Sequence, residues 1–179
     1  MGMYGVLCSL SQKRRALLED DTSLVLEALH ERRSVPGLLS LEKSWDALDK
    51  ILAHGTTKKS AAKDAILGHS GTEFGQSLGF EIPKLLEAKR VKAVAKALGE
   101  LSDDFVKENY PALADLEVHG EFGRRRAGAV NDYKEELEAL GLNEEIPEDL
   151  IYLSDVFARV LKFYVGAAER EEAVIALVV

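Results

Sequence analysis

Apolar positions in this chain fall into helical stripes through its body and into short apolar runs near both ends. From about residue 147 to 170, Leu150, Leu153, Phe157, Val160, Leu161, Tyr164 and Ala168 share one stripe, which Val156, Phe163 and Ala167 widen. A helix apolar over so much of its girth is expected at the centre of the fold. After the charged turn 169–172, residues 173–179 are uniformly apolar, the pattern of a strand covered on both faces. At the other end, residues 3–10 mix Tyr4, Val6, Leu7 and Cys8 and predict a short strand. The two termini are therefore expected to meet in one sheet, with helices packed around it.

Between these ends the pattern is mostly helical. Ser9 or Ser11 can cap a helix through Arg14, Leu17 and Leu18, and Ser9-x-x-Gln12 has capping-box spacing. A second short helix is expected from about residue 22, with Leu24, Val25, Ala28 and Leu29 on one side, and residues 34–37 form a turn. Ser40 is the expected N-cap of a helix whose Leu41, Trp45, Leu48 and Leu52 make one apolar face. Asp46 and Lys50 pair on its other face, and Gly55 supplies a left-handed stop. That stripe places Trp45 in the core rather than against a ligand.

A short helix is expected over residues 60–67. The glycine-dense loop 68–79 follows, and 80–83 is extended because a residue before proline avoids the helical region. Residues 87–98 predict a helix with Val91, Val94, Ala95 and Leu98 inward and a stop at Gly99. Ser102 caps a shorter one carrying Phe105 and Val106, and 131–140 predicts a helix of low amphipathic contrast.

The order of several segments resembles the YfbM-like family, a domain family without an assigned activity. Met1-Gly2-Met3 precedes a strand and a Ser-led helix, and residues 41–48 (Leu-Glu-Lys-Ser-Trp-Asp-Ala-Leu) match a Lys-x-Trp helix ending in Gly55. Ala65-Ile66-Leu67-Gly68, the segment 79–83 with its following helix, and Phe163-Tyr164 with Ala167-Ala168 before an apolar strand complete the match. Ile82 stands where the family has glycine before the proline, so that turn is built differently here. The resemblance implies one domain over residues 1–179 and a helix-rich α/β (or α+β) fold, three layers around a small sheet holding both terminal strands. It implies no catalytic residues.

Composition narrows function by exclusion. A chain of 179 residues, 46% hydrophobic, buries one good core, and its 30% charged residues with a net charge of −8 disfavour bulk binding to nucleic acid or anionic lipid. One cysteine, Cys8, forms neither an intrachain disulfide nor a cysteine metal cage and suits a reducing compartment. With no signal-peptide pattern and no apolar run of about 18 residues, the chain reads as cytoplasmic and non-membrane.

Candidate chemistry centres on the glycine-rich loop. Gly68-His69-Ser70-Gly71 approaches a nucleophile elbow, but Thr72 occupies the fifth position, where the strained turn needs a small residue. A triad would require an acid and then a histidine, and His119 after Asp115 has the right order. The loop lacks a Lys-Ser/Thr nucleotide ending, though a backbone anion nest is conceivable. His30, His54, His69 and His119 show no metal-ligand spacing, and His69 and Glu73, four apart, are separated by Gly71. Lys89, Lys92 and Lys96, with Lys84 and Arg90, form a basic face, and Arg124-Arg125-Arg126 adds a second cluster; such faces are usually solvated or paired with local acids, and binding of an acidic protein partner is the alternative.

The expected function is a non-enzymatic protein-interaction or ligand-binding domain, of which an immunity protein is one version, without cofactor or metal. No nucleic acid or membrane is expected as partner, and the chain is expected as a monomer or weak homodimer. The alternative is a small-molecule binder or hydrolase using Ser70, His69, Glu73 and His119.

Overall fold

The computed structural model of the protein describes residues 3–21, 23, 37–77, 81–115 and 148–179. Along the chain it contains β1 (Gly5–Leu10), α1 (Gln12–Asp20), β2 (Leu38–Glu42), α2 (Trp45–Gly55), a 3-10 turn (Ala61–Asp64) and β3 (Thr72–Glu73). Then come β4 (Lys84–Leu86), α3 (Ala88–Gly99), α4 (Phe105–Asn109), a second 3-10 turn (Tyr110–Asp115), α5 (Glu148–Glu169) and β5 (Ala173–Val178). The five strands form one antiparallel sheet in the order β2-β1-β5-β4-β3.

Both terminal strands lie side by side in it, as their apolar runs predict. Tyr4 N–H donates to the Val179 carbonyl at 2.7 Å, and Val179 N–H returns to Tyr4 at 2.9 Å. All six residues of β5 are buried. The pleat divides them: Val174, Ala176 and Val178 pack with Leu7 and Leu86 against α2, α3 and α5. Ala173, Ile175 and Leu177 face the other way, with Val6, Cys8, Leu10, Leu85, Phe74 and Leu18 of α1. The fold is the expected mixed α/β one, with α1 on one face of the sheet and the remaining described helices on the other.

α5 carries the predicted stripe. Leu153, Val156, Val160, Tyr164 and Ala167 are fully buried, and Phe157 meets Phe105 of α4 with ring centroids 5.8 Å apart. Each large apolar side chain withdrawn from water in this way contributes about 1.5–3 kcal/mol before chain entropy is subtracted. Val91, Val94 and Leu98 of α3 are buried as their spacing requires, and the helix ends at Gly99.

Of the two serines expected as the cap of α1, Ser11 takes the place, accepting from Arg14 N–H, while Ser9 is held inside β1. Several other boundaries differ from expectation. Ser40 caps no helix: residues 38–42 pair with β1 as strand β2, and α2 begins at Trp45. Leu41 still reaches the same core as Trp45, Leu48 and Leu52, but from the strand. Gly55 is not left-handed; a Cβ there would stand 2.6 Å from the Asn109 side chain, so close helix approach explains it. Asp46 keeps its pairing to Lys50 at 4.0 Å yet is buried, not on a solvated face. Asp104, not Ser102, occupies the cap of α4. The expected helices from residue 22 and over 131–140, and the Arg124–Arg126 cluster, lie outside the described residues.

Candidate functional site

The segment from residue 61 to 77 threads between α2 and β4 and is shaped by its glycines. Ser60 caps the 3-10 turn, accepting from Ala62 N–H at 3.3 Å, and Gly68 leaves it with φ +60°. Gly71 N–H closes the next turn on the Gly68 carbonyl at 2.7 Å. A Cβ on Gly71 would lie 2.8 Å from the Leu85 carbonyl oxygen, so only glycine lets the turn press against β4.

Two carboxylates from different elements hold this turn. Asp64, whose side chain is 3% exposed, accepts from Ser70 N–H at 2.8 Å and from the Ser70 hydroxyl at 2.5 Å. The same oxygen that takes the hydroxyl also accepts from Arg90 Nε of α3 at 2.5 Å. Beneath them Tyr164 of α5 is fully buried, its hydroxyl 3.5 Å from the Asp64 carbonyl. Burial first, and then the Asp64 charge, drive that phenol's pKa far above its ordinary value, so it stays protonated.

Asp49 of α2, its side chain 9% exposed, meets His69 Nε2 with one oxygen at 2.9 Å and the other at 3.2 Å. The imidazole is 53% exposed. Its pKa is raised chiefly by the hydrogen bond to Asp49, against desolvation, with further help from the charges of Asp49, Asp64 and Glu81.

The candidate residues are therefore separated in role. Ser70 and His69 are chain neighbours, but each is engaged by its own carboxylate. Glu73, on the exposed edge strand β3, takes Lys84 at 3.3 Å instead of joining them. His119 lies outside the described residues. Among the described residues no group of three His, Cys, Asp or Glu is arranged to hold a metal ion. Sequence reasoning missed Asp49, Asp64, Arg90 and Tyr164 as members of this cluster. Asp49 offered a signal: it sits roughly 40° around the helix from Trp45, at the border of the apolar stripe.

The basic face is largely answered by the chain's own acids. Lys92 meets Glu171 at 2.6 Å, Lys96 meets Glu100 at 3.8 Å, and Arg90 is committed to Asp64. That removes much of the charge an acidic partner would use. Trp45 is buried in the core, as its stripe requires. Cys8 is buried too, and burial pushes its thiol up to about 11.

A family model described as a domain of unknown function, DUF1877, matches residues 1–177. The chain belongs to that family. No curated protein matches it. Among solved structures it is similar to a protein of unknown function, YfbM, from Escherichia coli, at a TM-score of 0.62 over 98% of this chain and 99% of that one. Identity is 16%, so the likeness shows the shared fold, in agreement with the resemblance carried by the sequence motifs. Among the described residues no helix is long and apolar enough to cross a membrane.

Proposed function

We propose that this member of the family is a non-enzymatic binding domain for a protein partner, of the immunity-protein kind, working in the cytoplasm as one domain. The observation that carries the reading is the commitment of Ser70. Its hydroxyl donates to an Asp64 oxygen that Arg90 already occupies, so that oxygen is poorly placed to serve as a proton acceptor in a nucleophilic step. The most reactive-looking motif in the chain thus works as a clamp on its own turn. A net charge of −8 steers a basic partner, because long-range potential raises the encounter rate with the opposite sign. Recovery of the tagged chain from its own cell tests the reading: a stoichiometric basic protein, displaced by high salt, is expected. Nothing above an untagged control would end it.

A second reading, a small-molecule or hydrolytic site on the same turn, is favoured by one contact. A half-exposed imidazole backed by a buried carboxylate, as His69 is by Asp49, has the arrangement of a general base. Turnover of acyl or phosphate esters that disappears in both His69→Gln and Asp49→Asn would replace the first reading with this one.

A further inference from the structure

The turn 68–71 is fastened at several points, and these points differ in their response to protons. Ser70 hangs from Asp64, which Arg90 also holds. Gly68 N–H donates to the Asp64 carbonyl at 3.1 Å, Gly71 closes on Gly68, and Phe74 N–H donates to Pro83 at 2.9 Å. None of these backbone contacts titrates near neutrality. The contact from His69 to Asp49 does, because histidine alone changes charge between about pH 5 and 8 without perturbation.

The partners of that contact belong to different parts of the fold. Asp49 is on α2, whose Trp45, Leu48, Ile51 and Leu52 are locked in the main core, so it cannot follow a moving turn. His69 stands on a connection whose side chain faces solvent. Among the described residues the imidazole, when protonated, is the cation in contact with this nearly buried carboxylate. The other charges that bear on it are Asp64 from the 3-10 turn and Glu81 from the approach to β4, both favouring the protonated ring. Three acids converge on one histidine.

We propose that the His69–Asp49 contact is a proton-operated latch that sets how tightly the turn 68–71 is held against α2, and so what surface that turn presents. With the ring protonated, a charge-assisted hydrogen bond ties the turn to the helix. When the ring loses its proton, one N–H can still donate to Asp49, but the ion pair is gone and the contact is an ordinary, weaker hydrogen bond. The turn then stays hung from Asp64 at Ser70 and loosens at His69. The inference goes beyond the proposed binding role and stands without it, since the latch acts in the isolated chain.

The test is NMR on the whole chain, following the His69 ring signals and the exchange of the Ser70 and Gly71 amide protons. In the wild type, His69 is expected to titrate above a free histidine. Gly71 protection, corrected for the intrinsic rate, is expected to fall several-fold as the ring deprotonates. In Asp49→Asn the titration is expected to move down toward the ordinary value. His69→Gln changes an exposed side chain and keeps the fold available if the Asp49 variant does not fold. In it, Gly71 protection is expected to be low and independent of pH. An ordinary titration for His69, or Gly71 protection that ignores its ionisation, would overturn the latch.

Discussion

Gly5 of β1 and Trp45 at the start of α2 meet so closely that a Cβ on residue 5 would stand 2.4 Å from the Trp45 Cβ. The first strand and the tryptophan helix are thereby fixed at a spacing that only glycine permits. Trp45 cannot retreat, since it packs into the main core. Gly5→Ala is expected to lower stability by about 1–3 kcal/mol through overpacking. Urea unfolding followed by Trp45 fluorescence measures it, and an unchanged midpoint would mean that the helix moves freely.

Asp64 is the hub of the polar cluster. Removing it strips an acceptor from Ser70 and from Arg90 together, whereas removing Arg90 leaves both Ser70 bonds intact. Asp64→Ala is expected to cost about 1.5–3 kcal/mol. Arg90→Gln should cost at least as much, because it leaves a carboxylate that is only 3% exposed without its cation, whereas the guanidinium left by Asp64→Ala is 38% exposed and can be solvated. Thermal melts of both variants check the order.

Protons should act on stability through His69. Its pKa is higher in the fold than in the unfolded chain, so its contribution is fully present below the unfolded value near 6.5 and is lost as pH rises through the folded value. The gap in urea midpoint between the wild type and His69→Gln is expected to be larger at about pH 5.5 than at about pH 8.5. Half-exposure of the ring keeps the effect modest. A gap that widens with pH would have the wrong sign.

Cys8 is 4% exposed, with its thiol pushed up to about 11 by burial, outweighing the nearby Arg14. The nucleophilic thiolate is scarce at neutral pH. Alkylation by iodoacetamide in native buffer is expected to be negligible and to become complete in denaturant, as intact mass would report.

The sheet of joined termini and the inward faces of α3 and α5 were legible because long, strongly periodic apolar patterns leave little choice of partner. The start of α2 was not. Leu41 lies at a helical interval from Trp45 by coincidence, and strand pairing with β1 won residues 38–42. Gly55 looked like a stop because closeness to Asn109 leaves no mark in local sequence. The polar cluster stayed hidden for a related reason. Ser70 and His69 were visible as a motif, but their roles are set by acids 6 and 20 residues upstream. An aspartate on a helix reads as solvated until the fold brings something against it.

Ser70, held by Asp64 at both its N–H and its hydroxyl, is a structural clamp and not a nucleophile. Treatment of the folded chain with a fluorophosphonate, followed by peptide mass spectrometry, distinguishes the two roles. Ser70 is expected to emerge unmodified, like any ordinary surface serine. A stoichiometric adduct on Ser70, lost in His69→Gln, would contradict the clamp role.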